Sequence, residues 1–134
     1  MPDLADIEGI GPTYAEKLAA AGISGVDGLL AAGGSPQGRA DLAARTGVEP
    51  ALILEWVNHA DLYRIDGVGS EYADLLEAAG VDSVVELATR NPANLTEQLG
   101  KTNEQKNLVR AMPSESQVAA WVEQAKGLDR AVHH

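Results

Sequence analysis

Two short elements, EGIG at residues 8–11 and DGVG at 66–69, each place two glycines around one aliphatic residue. Glycine adopts left-handed dihedrals freely and leaves its backbone N–H groups uncovered. At the start of a following helix such N–H groups form a concave site suited to an anion. Gly9, Ile10 and Gly11, with Gly67, Val68 and Gly69, are therefore the candidate anion-binding residues. The bland alternative is that both turns are packing devices that let helices cross closely, their amides bonded internally or to water. Ile10 and Val68 are expected to point inwards and pin the turns.

Other chemistry finds less support. GIGPTY and GVGSEY approximate a dinucleotide fingerprint, but tyrosine replaces the third glycine and no strand precedes either copy. His59 has no serine or second histidine at a defined spacing, and beside Asn58 and Asp61 on a helix it reads as a surface or satisfied histidine. His133 and His134 read as a native tail or the remnant of a tag. Absence of cysteine excludes disulfides, thiolate metal sites and cysteine nucleophiles. No catalytic residue, metal site or cofactor is expected.

The elements that position the turns follow from an internal repeat. IEGIGPTYAEKLAAAGI at 7–23 recurs as IDGVGSEYADLLEAAGV at 65–81, an offset of 58 that aligns Tyr14 with Tyr72 and Gly22 with Gly80. Later in each copy, EPALILEWVNHADL aligns with SESQVAAWVEQAKGL, Trp56 with Trp121 and Ala60 with Ala125. The second copy is longer by seven residues, which fall around TEQLGKTNEQKNLVRAMP and predict a longer helix or loop. The tryptophans read as core anchors, a partner-facing Trp being the minority alternative. Tyr14 and Tyr72 read as core packing with an outward hydroxyl, the alternative being to stack on a ligand.

Helix boundaries are legible as well. Gly22 and Gly80 follow apolar periodic stretches and suit a left-handed position after a helix. Ser35-Pro36 and Asn91-Pro92 each join a capping residue to proline at the first helical position, Glu49-Pro50 starts the Trp56 helix, and Ser114 with Gln117 forms a capping box. Helices are predicted to open at Val26 or Asp27 and at Asp82 or Ser83, and the Trp56 helix to run to about Arg64. Nothing alternates as a strand. The predicted fold is all-α: two tandem repeats of about five short helices each, residues 1–64 and 65–134, sharing the helix around 50–64 and packed into one compact unit.

These features resemble the helix-hairpin-helix superfamily, whose signature is aliphatic, Gly, aliphatic, Gly and then Ala four residues on, here Ala15 and Ala73. Over nearly its full length the chain also resembles a bacterial and archaeal domain-of-unknown-function family built of such units. The superfamily resemblance implies DNA-phosphate binding without sequence readout through the turn amides, sometimes with a monovalent cation. Its DNA-binding members usually carry Lys or Arg after the second glycine, whereas this chain has Pro12-Thr13 and Ser70-Glu71.

Charge also opposes that implication. Twenty acids face ten bases, a net charge of −10 shared evenly between the halves, so the overall field repels nucleic acid. Asp6, Glu8, Asp66, Glu71 and Asp74 crowd the turns, Pro12 lacks an N–H, and the basic run of Lys101, Lys106 and Arg110 belongs to the insertion. The expected function is a non-catalytic module mediating protein–protein interaction or self-association. Sequence-independent DNA or RNA binding, within a larger complex, is the alternative, and a cryptic small-molecule-binding protein or enzyme comes last. No membrane partner is expected and the cytoplasm is the expected location. Bulky residues at Gly11 and Gly69 are expected to damage the fold as well as any anion site.

Overall fold

The computed structural model describes residues 4–7 and 9–133. Glu8 and His134, two residues weighed above, lie outside them. Among the described residues the chain is all-α, with a short 3-10 helix at Leu4–Asp6, eight α-helices and no strand. It divides into two compact units, residues 1–61 with 130–134, and residues 62–129.

The first unit holds α1 (Pro12–Ala20), α2 (Val26–Gly33), α3 (Pro36–Thr46) and nearly all of α4 (Pro50–Leu62). Proline opens α1, α3 and α4, where its missing N–H removes no intrahelical bond. The Ser35 side chain caps α3 by accepting from the Gly38 N–H at 3.0 Å. Val26 opens α2 behind Gly25, which offers no side-chain cap. The end of α1 is a Schellman motif: Gly22 N–H donates to Ala19 O at 3.0 Å, Ile23 N–H to Leu18 O at 2.9 Å, and Gly22 takes φ +88°. Ile23 and Leu18, the apolar pair that accompanies this motif, are both buried.

The second unit holds α5 (Ser70–Ala78), α6 (Val84–Ala88), α7 (Pro92–Lys106) and α8 (Glu115–Lys126). The same Schellman bonds close α5, from Gly80 to Glu77 O and from Val81 to Leu76 O. Asn91 caps α7, Ser83 caps α6, and Ser114 with Gln117 forms the complete capping box of α8. The inserted residues lengthen α7 to 15 residues against 11 in α3. Asn107 then ends α7 in the left-handed region, at φ 52°. Asn103 ties down the loop that follows, accepting from the Leu108 and Val109 N–H groups at 2.8 and 3.0 Å and donating to Val109 O.

Two boundaries differ from the sequence expectation. Helix α4 stops at Leu62 rather than near Arg64, because the next turn has begun, with Ile65 N–H donating to Leu62 O. Residues 130–133, which the repeat leaves with the second copy, pack on the first unit. No helix among the described residues is long and apolar enough to cross a membrane.

Candidate functional site

Each glycine turn is built by the same few bonds. In the first, Ile7 N–H donates to Leu4 O and Ile10 N–H to Ile7 O; in the second, Ile65 N–H donates to Leu62 O and Val68 N–H to Ile65 O. The first glycine of each turn is left-handed, Gly9 at φ +90° and Gly67 at φ +93°. Ile10 and Val68 point inwards and are buried.

The two glycines of a turn do different work. A Cβ on Gly9 would lie 3.3 Å from Trp56 Nε1, and one on Gly67 would lie 3.1 Å from Trp121 Nε1. The first glycine therefore lets the turn settle on the edge of an indole as well as supplying the dihedral. Gly11 and Gly69 are instead extended N-cap residues of α1 and α5, with no side-chain cap bond, and a Cβ there would meet nothing within 4 Å. Their backbone is ordinary and the space about a Cβ is open, so alanine at either position meets no neighbour.

Trp56 and Trp121 are buried, at 1% and 3% exposure, as core anchors. Each pairs with the half-buried tyrosine of its own unit: Tyr14 and Trp56 have ring centroids 5.1 Å apart and tilted by 58°, Tyr72 and Trp121 5.2 Å apart and tilted by 52°. Such tilted pairs are favourable beyond their burial. A glycine and a tyrosine close in sequence thus form one packed group with a distant tryptophan in each unit. Trp56 Nε1 is buried with no hydrogen-bond partner among the described residues.

Polar groups around the turns distinguish the units. Gln124 clasps the second turn, its Oε1 accepting from the Asp66 N–H at 2.9 Å and its Nε2 donating to Asp66 O at 3.3 Å. The aligned residue in the first unit is His59, buried at 5% exposure, its Nδ1 3.3 Å from the Glu55 carbonyl. It is a buried, bonded side chain. Tyr72 donates its hydroxyl to Ala111 O at 2.9 Å, so the insertion loop occupies the group that faces outwards. Near the first turn, Lys17 holds its Nζ 5.6 Å from the Tyr14 ring centroid, a base that the sequence reading passed over.

Carboxylates surround the exposed glycines. Asp6, Asp66 and Glu71 are exposed, as are the basic side chains of the insertion, Lys101, Lys106 and Arg110. Lys101 lies 3.4 Å from Glu97. No group of three or more His, Cys, Asp or Glu side chains suited to a metal ion occurs among the described residues.

A family model described as a domain of unknown function (DUF4332) matches residues 8–128, thus both glycine turns and both Trp helices. A stretch of 54 residues, 40% of this chain, is 46% identical to the poly(3-hydroxyalkanoate) polymerase subunit PhaC of Haloferax mediterranei. The match spans about a tenth of the length of that relative. No solved structure matches the chain.

Proposed function

Since the chain belongs to the DUF4332 family, we propose that it is a non-catalytic binding module that mediates protein–protein interaction or self-association. One observation carries this reading: the left-handed glycine of each turn is spent on packing against a tryptophan, and the surface left around the turn is acidic. A site that attracted phosphate would set a base directly after its second glycine, where this chain has Pro12-Thr13 and Ser70-Glu71, because phosphate contacts draw their strength from charge neutralisation. Unknown protein partners or a second copy are the partners we propose, in the cytoplasm, with no cofactor.

Nucleic-acid binding is the second reading, and a specific feature favours it. The turns keep the features by which they resemble the helix-hairpin-helix superfamily: a buried aliphatic residue between glycines, Ala15 or Ala73 four residues on, and a helix N-terminus without a side-chain cap. Open space at Gly11 and Gly69 would admit a phosphate to the first-turn amides. Fluorescence anisotropy of labelled single- and double-stranded DNA at low and physiological salt, beside sedimentation at rising protein concentration, separates the two. We expect no DNA binding at physiological salt and self-association that survives added salt. Micromolar DNA binding that weakens steeply with salt would overturn the first reading.

A further inference from the structure

Amide side chains hold main chain at two places in the second unit. Gln124 brackets Asp66, accepting from its N–H at 2.9 Å and donating to its carbonyl at 3.3 Å. Asn103 holds the loop after α7 in the same manner, through the Leu108 and Val109 N–H groups and the Val109 carbonyl. An amide can do this because its acceptor and donors lie side by side, the complement of a peptide group.

A further set of amides in this unit holds nothing. A cavity of about 300 Å³ opens where α6 passes into α7, lined by Thr89, Arg90, Asn91, Asn94, Leu95 and Gln98. Asn94 and Gln98 are exposed, and no hydrogen bond among the described residues engages either side-chain amide. Arg90 is held in place, donating from Nε and Nη2 to Glu86 at 3.1 and 3.0 Å and from Nη2 to Gly80 O at 3.1 Å. Its Nη1 donors are left unengaged among the described residues.

The lining selects a class of ligand. Its one cation already faces Glu86, so little net charge remains to draw an anion. It has no aromatic ring on which a base or a sugar could stack. What it offers is neutral donors and acceptors over the buried Leu95. Asn94 and Gln98 stand one helical turn apart on α7, where neighbouring side chains are about 5–6 Å apart. In an extended chain, alternate residues turn both N–H and C=O to the same edge and repeat at about 6.6 Å. Two such residues meet the two amides in register.

The first unit shows what this junction can hold. Counted from Pro36 and Pro92, Arg90 stands where the first unit has Gly34, and Leu95 where it has Arg39. There a non-helical segment of the chain itself covers the junction through its main chain. His133 N–H donates to Gly34 O at 2.7 Å, Arg39 Nη2 donates to His133 O at 2.7 Å, and Val132 is buried. In the second unit the matching place is the cavity, lined only by residues of the junction and of α7.

We propose that the α6–α7 junction binds an extended segment of a partner protein by its main chain, Asn94 and Gln98 each bracketing one residue and Arg90 Nη1 donating to a carbonyl. The inference rests on the protein-interaction reading above and names its surface. Main-chain bonds supply the affinity, so the site reads an extended conformation more than a sequence.

Nuclear magnetic resonance of the full-length, isotopically labelled chain tests this. The probe is tetra-alanine blocked at both ends, which offers main-chain amides and no charge. The side-chain amide signals of Asn94 and Gln98 should move on titration and saturate in the millimolar range. Followed by the backbone signals of α7, binding should weaken about tenfold in the double variant Asn94→Ala, Gln98→Ala. Alanine suits both helical positions, so the fold is kept. A probe N-methylated at every residue, which keeps its side chains and lacks N–H donors, should lose as much. Unmoved signals, a full response to the N-methylated probe, or unchanged binding in the double variant each overturns the proposal. So does acetate moving the same signals as the peptide, which would mark a carboxylate site. Sedimentation of the wild-type chain at rising concentration separates this failure from that of the interaction reading. Self-association with unmoved amides leaves that reading standing on another surface, and silence in both experiments sinks the two together.

Discussion

Replacing the two glycines of one turn by alanine separates their roles. At Gly67 the backbone sits at φ +93°, where a side chain costs about 1–2 kcal/mol. The new Cβ would also lie 3.1 Å from Trp121 Nε1, and moving a packed indole by a few tenths of an ångström adds about 1 kcal/mol. Gly67→Ala should therefore cost about 2–3 kcal/mol. At Gly69 the backbone is extended, at φ −98°, and a Cβ would meet nothing within 4 Å. Alanine is a poorer N-cap than glycine by about 1 kcal/mol, but loss of unfolded-chain freedom returns about 0.4–1 kcal/mol. Gly69→Ala should lie within about 0.5 kcal/mol of wild type. Urea unfolding followed by circular dichroism resolves the difference, since with a slope of about 1–3 kcal/mol/M the Gly67 variant shifts its midpoint by about 0.7–3 M. Equal losses from the two variants, or none at Gly67, would refute the division of labour within the turn.

The remaining predictions concern single contacts. Tyr72→Phe removes the bond to Ala111 O and should cost about 0.5–1.5 kcal/mol in the same assay, provided the insertion loop is held as described. Ser114→Ala breaks the capping box of α8 and should cost about 1 kcal/mol, with Ser114→Asp close to wild type. Thr13→Lys with Glu71→Lys places a base after each turn; DNA affinity measured by anisotropy should rise and acquire a steeper salt dependence if only charge is missing. An unchanged affinity would count against any phosphate-ready geometry in the turns.

Local chemistry made most of the helix ends readable. Proline after Ser35 and Asn91, glycine at 22 and 80, and the Ser114–Gln117 pair act within one turn of chain, and each terminus forms as its residue types require. The repeat likewise made Ile10, Val68, Trp56 and Trp121 recognisable as buried positions. Contacts between residues far apart in sequence were not legible. Nothing in the spacing of Tyr14 and Trp56 says that their rings meet, and nothing in Gly9 says that an indole lies against it. Nothing in the sequence around Gln124 says that its amide brackets the backbone of Asp66, 58 positions away. Arg39 is the plainest case. A charged residue on a polar helix predicts exposure, and only the arrival of a segment 94 positions away explains why it is buried.

The pairing of one tyrosine with one tryptophan in each unit gives the molecule two internal optical reporters. Trp56 and Trp121 are the sole tryptophans, the chain has no phenylalanine, and each indole is shielded from water beside its own phenol ring. Excitation absorbed by Tyr14 or Tyr72 passes readily to its neighbour at this range, and emission reddens when water reaches the indole. A chain keeping only Trp56 and another keeping only Trp121 would each signal the opening of one unit. Coincident melting curves from the pair would mean that the units unfold as one cooperative body, and separate curves would give each its own stability.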